Sequence, residues 1–146
     1  MASVASGLGL AAPFEIVLRR FPPDVPLRLG TSAFRVAAAL RAFGVPFARV
    51  HSGWLGRGAG RCWERLARHL DDGGSAIVCV DAGRLGGQRW AAHWVVAGRL
   101  DPAGIQVRHW RDAVLPVAVF RRAWACRHLP WPHHHLAFLV PPAVPS

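Results

Sequence analysis

Three consecutive segments of the chain decide its fold: SAIVCVD (75–81), AHWVVAG (92–98) and DPAGIQV (101–107). The first segment contains a short, unbroken apolar run, which is typical of a strand buried on both faces. Asp101-Pro102 is a strong turn signal between the other two segments. Residues 105–110 alternate between apolar and polar side chains, so the strand that they predict is expected to pair with the second segment as a hairpin. The second half of the chain therefore predicts a cluster of antiparallel strands.

Helical patterns precede this cluster. Residues 34–43 carry apolar side chains near helical spacing, and Gly44 follows as a natural C-cap. Residues 62–71 form an amphipathic pattern with Trp63 and Leu66 in its apolar stripe. Shorter patterns predict helices over 1–8, from 13 onward and over 116–124, and strands over 47–51, 90–96, 105–110 and 136–140. The fold class predicted is α+β, with N-terminal helices packed on a small antiparallel sheet.

Length and composition limit the classes of protein. The chain has 146 residues, of which 52% are hydrophobic, enough for a core and too many for wholesale disorder. Its three cysteines are an odd number, which argues against a disulfide framework. The apolar runs are short and broken by Arg, Pro or His, so no membrane span is expected. These features predict a single domain over 1–141 with a tail at 142–146, in a cytoplasmic location.

The chain is strongly basic. Its net charge is +10, and all of its 18 basic residues are Arg. The absence of Lys, Asn and Tyr is typical of a GC-rich, bacterial-type genome, which weakens the charge as a clue to function. The Arg residues are also spread along the chain rather than gathered in one run. A nucleic-acid-binding domain nevertheless stays open as one function.

The segments quoted above resemble the peptidase C39-like families, which are papain-like cysteine peptidases of the bacteriocin-processing kind. In those families a strand that ends in a small hydrophilic turn precedes a strand beginning His-aromatic-Val-Val, and another turn and strand follow. AHWVV (92–96) matches that motif, and the resemblance assigns the general base to His93. It extends over nearly the whole chain, including segments 31–44, 115–124 and 136–140. It implies a papain-like fold and thiol-dependent hydrolysis of peptide or amide bonds, with no cofactor and no metal.

Two members of the family's catalytic set depart from this pattern. The family places its Cys at the start of the first helix, in a setting whose continuation resembles Met1–Ala5, so the Cys is expected upstream of Met1. The Asp or Asn that orients the base corresponds by spacing to His109. Asp112, three residues further on, is the alternative. The candidate catalytic residues are therefore His93, His109 and Asp112.

Three functions remain open at this point. The first is a cysteine peptidase that is inactive in this chain, because the expected nucleophile is missing. The second is a non-catalytic pseudo-peptidase. It would bind a peptide or protein partner through His93 and Trp94, in the cleft that holds the substrate in an active peptidase. The third is the basic nucleic-acid-binding domain.

Other reactive side chains have simpler interpretations. Cys62 lies near a helix start, where a thiolate is favoured, but it matches nothing catalytic in the family. Cys79 is expected to be a buried, inert thiol, and Cys126 is interpreted as structural despite its basic neighbours. The run 133–135 is three consecutive histidines with His128 nearby. Its spacing matches no known structural metal site, and no metal is expected there.

Overall fold

The apolar run 75–81 forms an inner strand of a six-stranded antiparallel sheet. The computed structural model describes residues 33–53, 55–87, 92–108, 111, 113–125 and 134–142. In chain order the strands are β1 (Ala48–Val50), β2 (Ser75–Asp81), β3 (Ala92–Asp101), β4 (Gly104–Arg108), β5 (Val114–Leu115) and β6 (Ala137–Val140). Across the sheet their order is β1-β6-β2-β3-β4-β5. The last strand therefore inserts between the first two, and the α+β class with an antiparallel sheet is confirmed.

The helices described are α1 (Ala33–Ala42), α2 (Ala59–Asp71) and α3 (Val117–Trp124), with a short 3-10 helix at Ala82–Leu85. Backbone contacts divide the chain into two compact units, residues 1–46 and 47–146. The first unit contributes α1. Gly44 follows this helix in a left-handed conformation (φ 65°), as the role of Gly44 as C-cap requires. The second unit contains the whole sheet, α2 and α3. The helices predicted over 1–8 and from 13 onward lie outside the described residues.

One face of the sheet packs against α2 and α3. Its buried positions follow the period of two along each strand, as Val78, Val80 and Val95 illustrate. The helices cover this face with two sets of buried side chains: Cys62, Leu66 and Leu70 from α2, and Phe120, Ala123 and Trp124 from α3. Burying the larger of these side chains, such as Leu66 and Phe120, supplies about 1.5–3 kcal/mol each, and the helices depend on that burial for their stability.

The opposite face of the inner strands is also buried. Ile77, Val96 and Phe138 are each no more than 1% exposed. The Phe47 ring meets Phe138 edge-on at 5.5 Å, and Trp94 lies tilted at 5.8 Å from the same ring. The expectation that the run within β2 is buried on both faces is thus confirmed.

Several boundaries differ from the sequence-based predictions. Helix α2 begins at Ala59, three residues before the predicted start, after Gly58 in a left-handed conformation (φ 89°). β3 extends to Asp101, so the turn signalled by Asp101-Pro102 is confined to residues 102 and 103. The Asp101 carboxylate holds that turn by accepting hydrogen bonds from the backbone N–H groups of Ala103 (2.9 Å) and Gly104 (3.3 Å). A register shift between Ala97 and Arg99 absorbs the extra length of β3.

His69 joins α2 to the ends of two strands. Its Nε2 lies 3.0 Å from the carbonyl oxygen of Ser75 and 2.8 Å from that of Val140. Carbonyl oxygens only accept hydrogen bonds, so Nε2 carries the proton and donates to both. A Cβ at position 74 would overlap the His69 ring, so this link requires glycine there.

Gly74→Ala should destabilise the protein, because the added methyl group must displace the His69 ring from its two carbonyl partners. We expect the free energy of unfolding to fall by roughly 1–3 kcal/mol, measured by urea denaturation. His69→Ala should cause a loss of similar size.

Gly60→Ala is the matched control. Gly60 is exposed within α2, and a Cβ there has no neighbour within 4 Å. This variant should gain up to about 1 kcal/mol from helix propensity. Equal losses at positions 60 and 74 would contradict the role given to His69.

Candidate functional site

His93 lies at one end of the sheet, on the second residue of β3. It pairs with Val80 of β2, and directly opposed residues of an antiparallel pair share a face. Val80 and Val95 both belong to the core beneath α2 and α3, so His93 is on that same face. Val95 and Ala97 are fully buried, whereas His93 is partly exposed. His93 therefore stands at the rim of the core, where part of the residue is open to solvent.

Trp94 is on the other face of the sheet. Adjacent residues of a strand alternate between faces, and Trp94 pairs with Cys79 rather than with a residue of the helix-covered core. His93 and Trp94, which the sequence assigned to one cleft, are thus separated by the sheet itself. His109 and Asp112, the two candidates for orienting His93, lie outside the described residues. β4 ends at Arg108, immediately before His109.

Neither described thiol is placed to act as a nucleophile. Cys62 is 6% exposed and Cys79 is 5% exposed. Burial raises the pKa of the Cys62 thiol, and the opposing effect of the Arg65 and Arg61 charges does not offset it. Because α2 begins at Ala59, Cys62 faces the core instead of solvent at the helix start. The expectation that Cys79 is buried is confirmed, and Cys126 lies outside the described residues.

A second constellation, which the sequence analysis missed, joins the segments that follow β1 and precede β6. The backbone N–H of Ser52 donates to the His134 carbonyl oxygen (2.9 Å), and the His134 N–H donates to the Gly53 carbonyl oxygen (3.3 Å). The Ser52 Oγ lies 2.8 Å from His135 Nδ1 and 3.2 Å from the His134 carbonyl oxygen. Ser52 and His135 are 83 positions apart in the chain, so no local sequence signal reveals this pair.

The His135 ring is held on several sides. Its backbone adopts a left-handed conformation (φ 54°), unusual for a residue other than glycine. The ring packs edge-on against the buried Trp124 at 5.2 Å. The Trp124 indole N–H in turn donates to the Leu136 carbonyl oxygen (3.1 Å). The hydroxyl of Ser52 thus faces an imidazole whose position is fixed by the core.

The surroundings of His135 favour its neutral form. Burial lowers the pKa of this imidazole most, and the neighbouring His134 and the Arg121 charge lower it further. The Arg121 guanidinium lies 5.0 Å from the centre of the Trp63 ring, a cation–π contact that holds it beside α2. At neutral pH, Nδ1 of His135 can therefore accept a proton.

His93 and His135 lie at the same end of the sheet. Val78 pairs with Ala137, and the Cys79 N–H donates to the Leu136 carbonyl oxygen (3.1 Å). The next residues along this antiparallel path are Val80 and His135, and Val80 pairs with His93. β6 and β3 lie on either side of β2, so at this end of the sheet the two strands are about 10 Å apart by the usual strand spacing.

Metal binding has little support in the part of the chain that is described. No group of three or more His, Cys, Asp or Glu side chains there could hold a metal ion. The His134 and His135 rings are 6.3 Å apart and tilted, while His128 and His133 lie outside the described residues.

Among the residues described, no helix has the length and apolar character needed to cross a membrane.

Comparisons of the chain with protein-family models, with curated proteins and with solved structures find no match.

Thiol alkylation tests the burial of Cys62 and Cys79. Both should react with iodoacetamide at pH 7.5 at least about tenfold more slowly than a free thiol, because each is buried and the pKa of Cys62 is raised. Mass spectrometry of digested, alkylated protein gives the rate for each cysteine, with denatured protein as the control. Fast modification of either thiol in the folded protein would contradict this assignment.

Acid should weaken the fold through His135. Its pKa in the folded state is lowered, so the unfolded chain binds a proton more readily. The stability that depends on neutral His135 is present above the unfolded pKa of about 6.5 and is lost as pH falls through the folded pKa. Urea denaturation between pH 7.5 and 5 should show that the free energy of unfolding declines, and the decline should be smaller in His135→Gln. An equal decline in the original protein and in His135→Gln would contradict the role given to His135.

Proposed function

We propose that this chain is a papain-like, C39-like domain that binds an extended peptide segment beside His93. The observation that supports the proposal best is the position of His93. His93 is the first of the β3 side chains that face the core, and it is partly exposed. The next two on that face, Val95 and Ala97, are fully buried. A histidine at the rim of a buried sheet face can meet a ligand without unfolding of the core.

The order of elements agrees with this proposal. A helix, α2, leads into the buried strand β2, and β3 then begins with the His-aromatic-Val-Val motif. β4 follows after an Asp-Pro turn, and α3 and β6 complete the unit. The resemblance drawn from sequence expects the same succession. The papain-like assignment rests on this succession and on His93.

Binding, rather than hydrolysis, is the activity proposed for this domain. Peptide hydrolysis in this family needs a thiolate next to the base, and in the described part of the chain the buried Cys62 and Cys79 do not supply one. His93 can hydrogen-bond to a peptide carbonyl or N–H in either tautomer, so it can contribute to binding without acting as a base. The net charge of +10 favours peptides that carry acidic residues.

Nucleic-acid binding has weaker support. On the exposed face of α2, Glu64 and Asp71 stand among Arg61, Arg65 and Arg68. Mixed charges of this kind are typical of an ordinary solvated helix face rather than of a phosphate-binding stripe.

Peptide binding can be tested with an array of random twelve-residue peptides, followed by fluorescence anisotropy of the best binders. We expect saturable binding that His93→Ala weakens about tenfold, the usual effect of losing one hydrogen bond, because the imidazole is lost from the rim of the sheet. The peptides should remain uncleaved during incubation, as judged by mass spectrometry.

His51→Ala is the matched control, since His51 is an exposed histidine of the same unit. Binding that both variants weaken equally, or that neither weakens, would contradict the role given to His93. Nucleic-acid binding is tested by adding double-stranded DNA at 50 mM salt as a competitor of the bound peptide. If the DNA displaces the peptide and this competition falls steeply with added salt, a nucleic-acid partner is favoured.

A further inference from the structure

We propose that Ser52 and His135 form a second reactive site, a serine–histidine pair that accepts the acyl group of an ester on Ser52 and passes it to water. This site does not depend on the peptide-binding role of His93. Nothing in the family resemblance assigns a function to either residue.

The geometry suits proton transfer. The Ser52 Oγ and the His135 Nδ1 are 2.8 Å apart, within the reach of a nucleophile and its general base. The Ser52 hydroxyl carries one proton and has two acceptors, Nδ1 and the more distant His134 carbonyl oxygen at 3.2 Å. In the tautomer with the proton on Nε2, Nδ1 accepts the hydroxyl proton directly.

The ring that takes the proton is fixed and neutral. Trp124 packs edge-on against it, and the left-handed backbone of His135 holds it toward Ser52. Residues in such sparsely populated conformations are concentrated at functional sites. Burial, His134 and Arg121 all lower the pKa of His135, so the base form predominates at neutral pH.

Arg121 adds positive charge to the surroundings of the pair. Its charge acts on His135, and its cation–π contact with Trp63 limits where the guanidinium can go. When Ser52 attacks a carbonyl carbon, negative charge develops on the carbonyl oxygen, and positive charge in the surroundings favours that development.

The same surroundings define the class of substrate. Among the described residues no carboxylate forms an ion pair with His135, unlike the histidine of a serine–histidine–aspartate triad. Arg121 and His134 also disfavour the imidazolium that forms during the reaction. Such a pair expels a good leaving group more easily than an amine, so esters fit and amides do not. Ser52 and His135 are both partly exposed, so an ester can approach the hydroxyl from solvent.

The reaction proceeds in two balanced steps. The Ser52 Oγ forms a bond to the ester carbonyl carbon while its proton moves to His135 Nδ1. The tetrahedral intermediate then collapses, the bond to the alkoxide oxygen breaks, and His135 returns the proton to the leaving alcohol. Water repeats the sequence on the acyl-serine, releasing the carboxylic acid and restoring the Ser52 hydroxyl.

A small alkyl fluorophosphonate is the probe for this pair. Its phosphorus forms a bond to Ser52 Oγ, the phosphorus–fluorine bond breaks, and the proton and fluoride leave as HF. Intact mass spectrometry of the full chain measures the extent of labelling, and peptide mapping identifies the modified residue. We expect one label per chain, on Ser52, with a rate that rises with pH and levels off near neutrality, as a base with a pKa below the ordinary histidine value requires.

His135→Gln should slow labelling about 100-fold, and Ser52→Ala should abolish it. Ser75→Ala is the matched control. Ser75 is a partly buried serine of β2, and its backbone carbonyl, which His69 contacts, is retained in the variant. This variant should label as fast as the original protein.

Mapping of the original protein keeps the test valid even if a variant fails to fold. Absence of labelling, labelling of a residue other than Ser52, or an equal rate in His135→Gln would overturn the proposal. Hydrolysis of p-nitrophenyl acetate supplies the second readout. If Ser52→Ala leaves the turnover of this ester unchanged, the proposal is overturned as well. Neither readout involves peptide binding at His93, so the two proposals succeed or fail separately.

Discussion

The structure depends on one constraint, the burial of β2 on both faces. From Ala76 to Val80 each side chain is buried, so neither face of the strand meets solvent. A strand of this kind needs a paired neighbour on each edge and a cover on each face. β3 and β6 supply the edges, and α2 and α3 cover one face. His69 then ties the end of α2 to the start of β2 and the end of β6.

The same constraint places the chemistry at the edge of the core. Inside the sheet there is no room for a polar side chain, and no polar or charged residue is buried in the described part of the chain. Polar groups are therefore found where strands begin and end. His93 occupies the start of β3, and His135 precedes β6 at the same end of the sheet. Burial at the rim also lowers the pKa of His135 and so connects its chemistry to the packing around Trp124.

Two different kinds of chemistry are therefore proposed for one end of the sheet. The family resemblance directs attention to His93 and to a thiolate, but both described cysteines serve the core. The contact between Ser52 and His135 follows from the tertiary structure alone, and it offers an oxygen nucleophile about three strands away from His93. Arg121 of α3 lies over the Trp63 ring, and its charge acts on His135.

Local patterns in the sequence determined the antiparallel sheet, the α+β class and most element positions. The apolar run of β2, the Asp101 turn and the stripe of α2 each act over a few residues, and the structure confirms them. Boundaries were less accurate where tertiary packing decided them, as at the start of α2 and the far end of β3. The motif predicted a role for His93, whereas the separation of His93 from Trp94 needed the strand register. Only the tertiary structure paired Ser52 with His135, because that contact exists solely through the insertion of β6 beside β1, and no local pattern encodes which distant strands become neighbours.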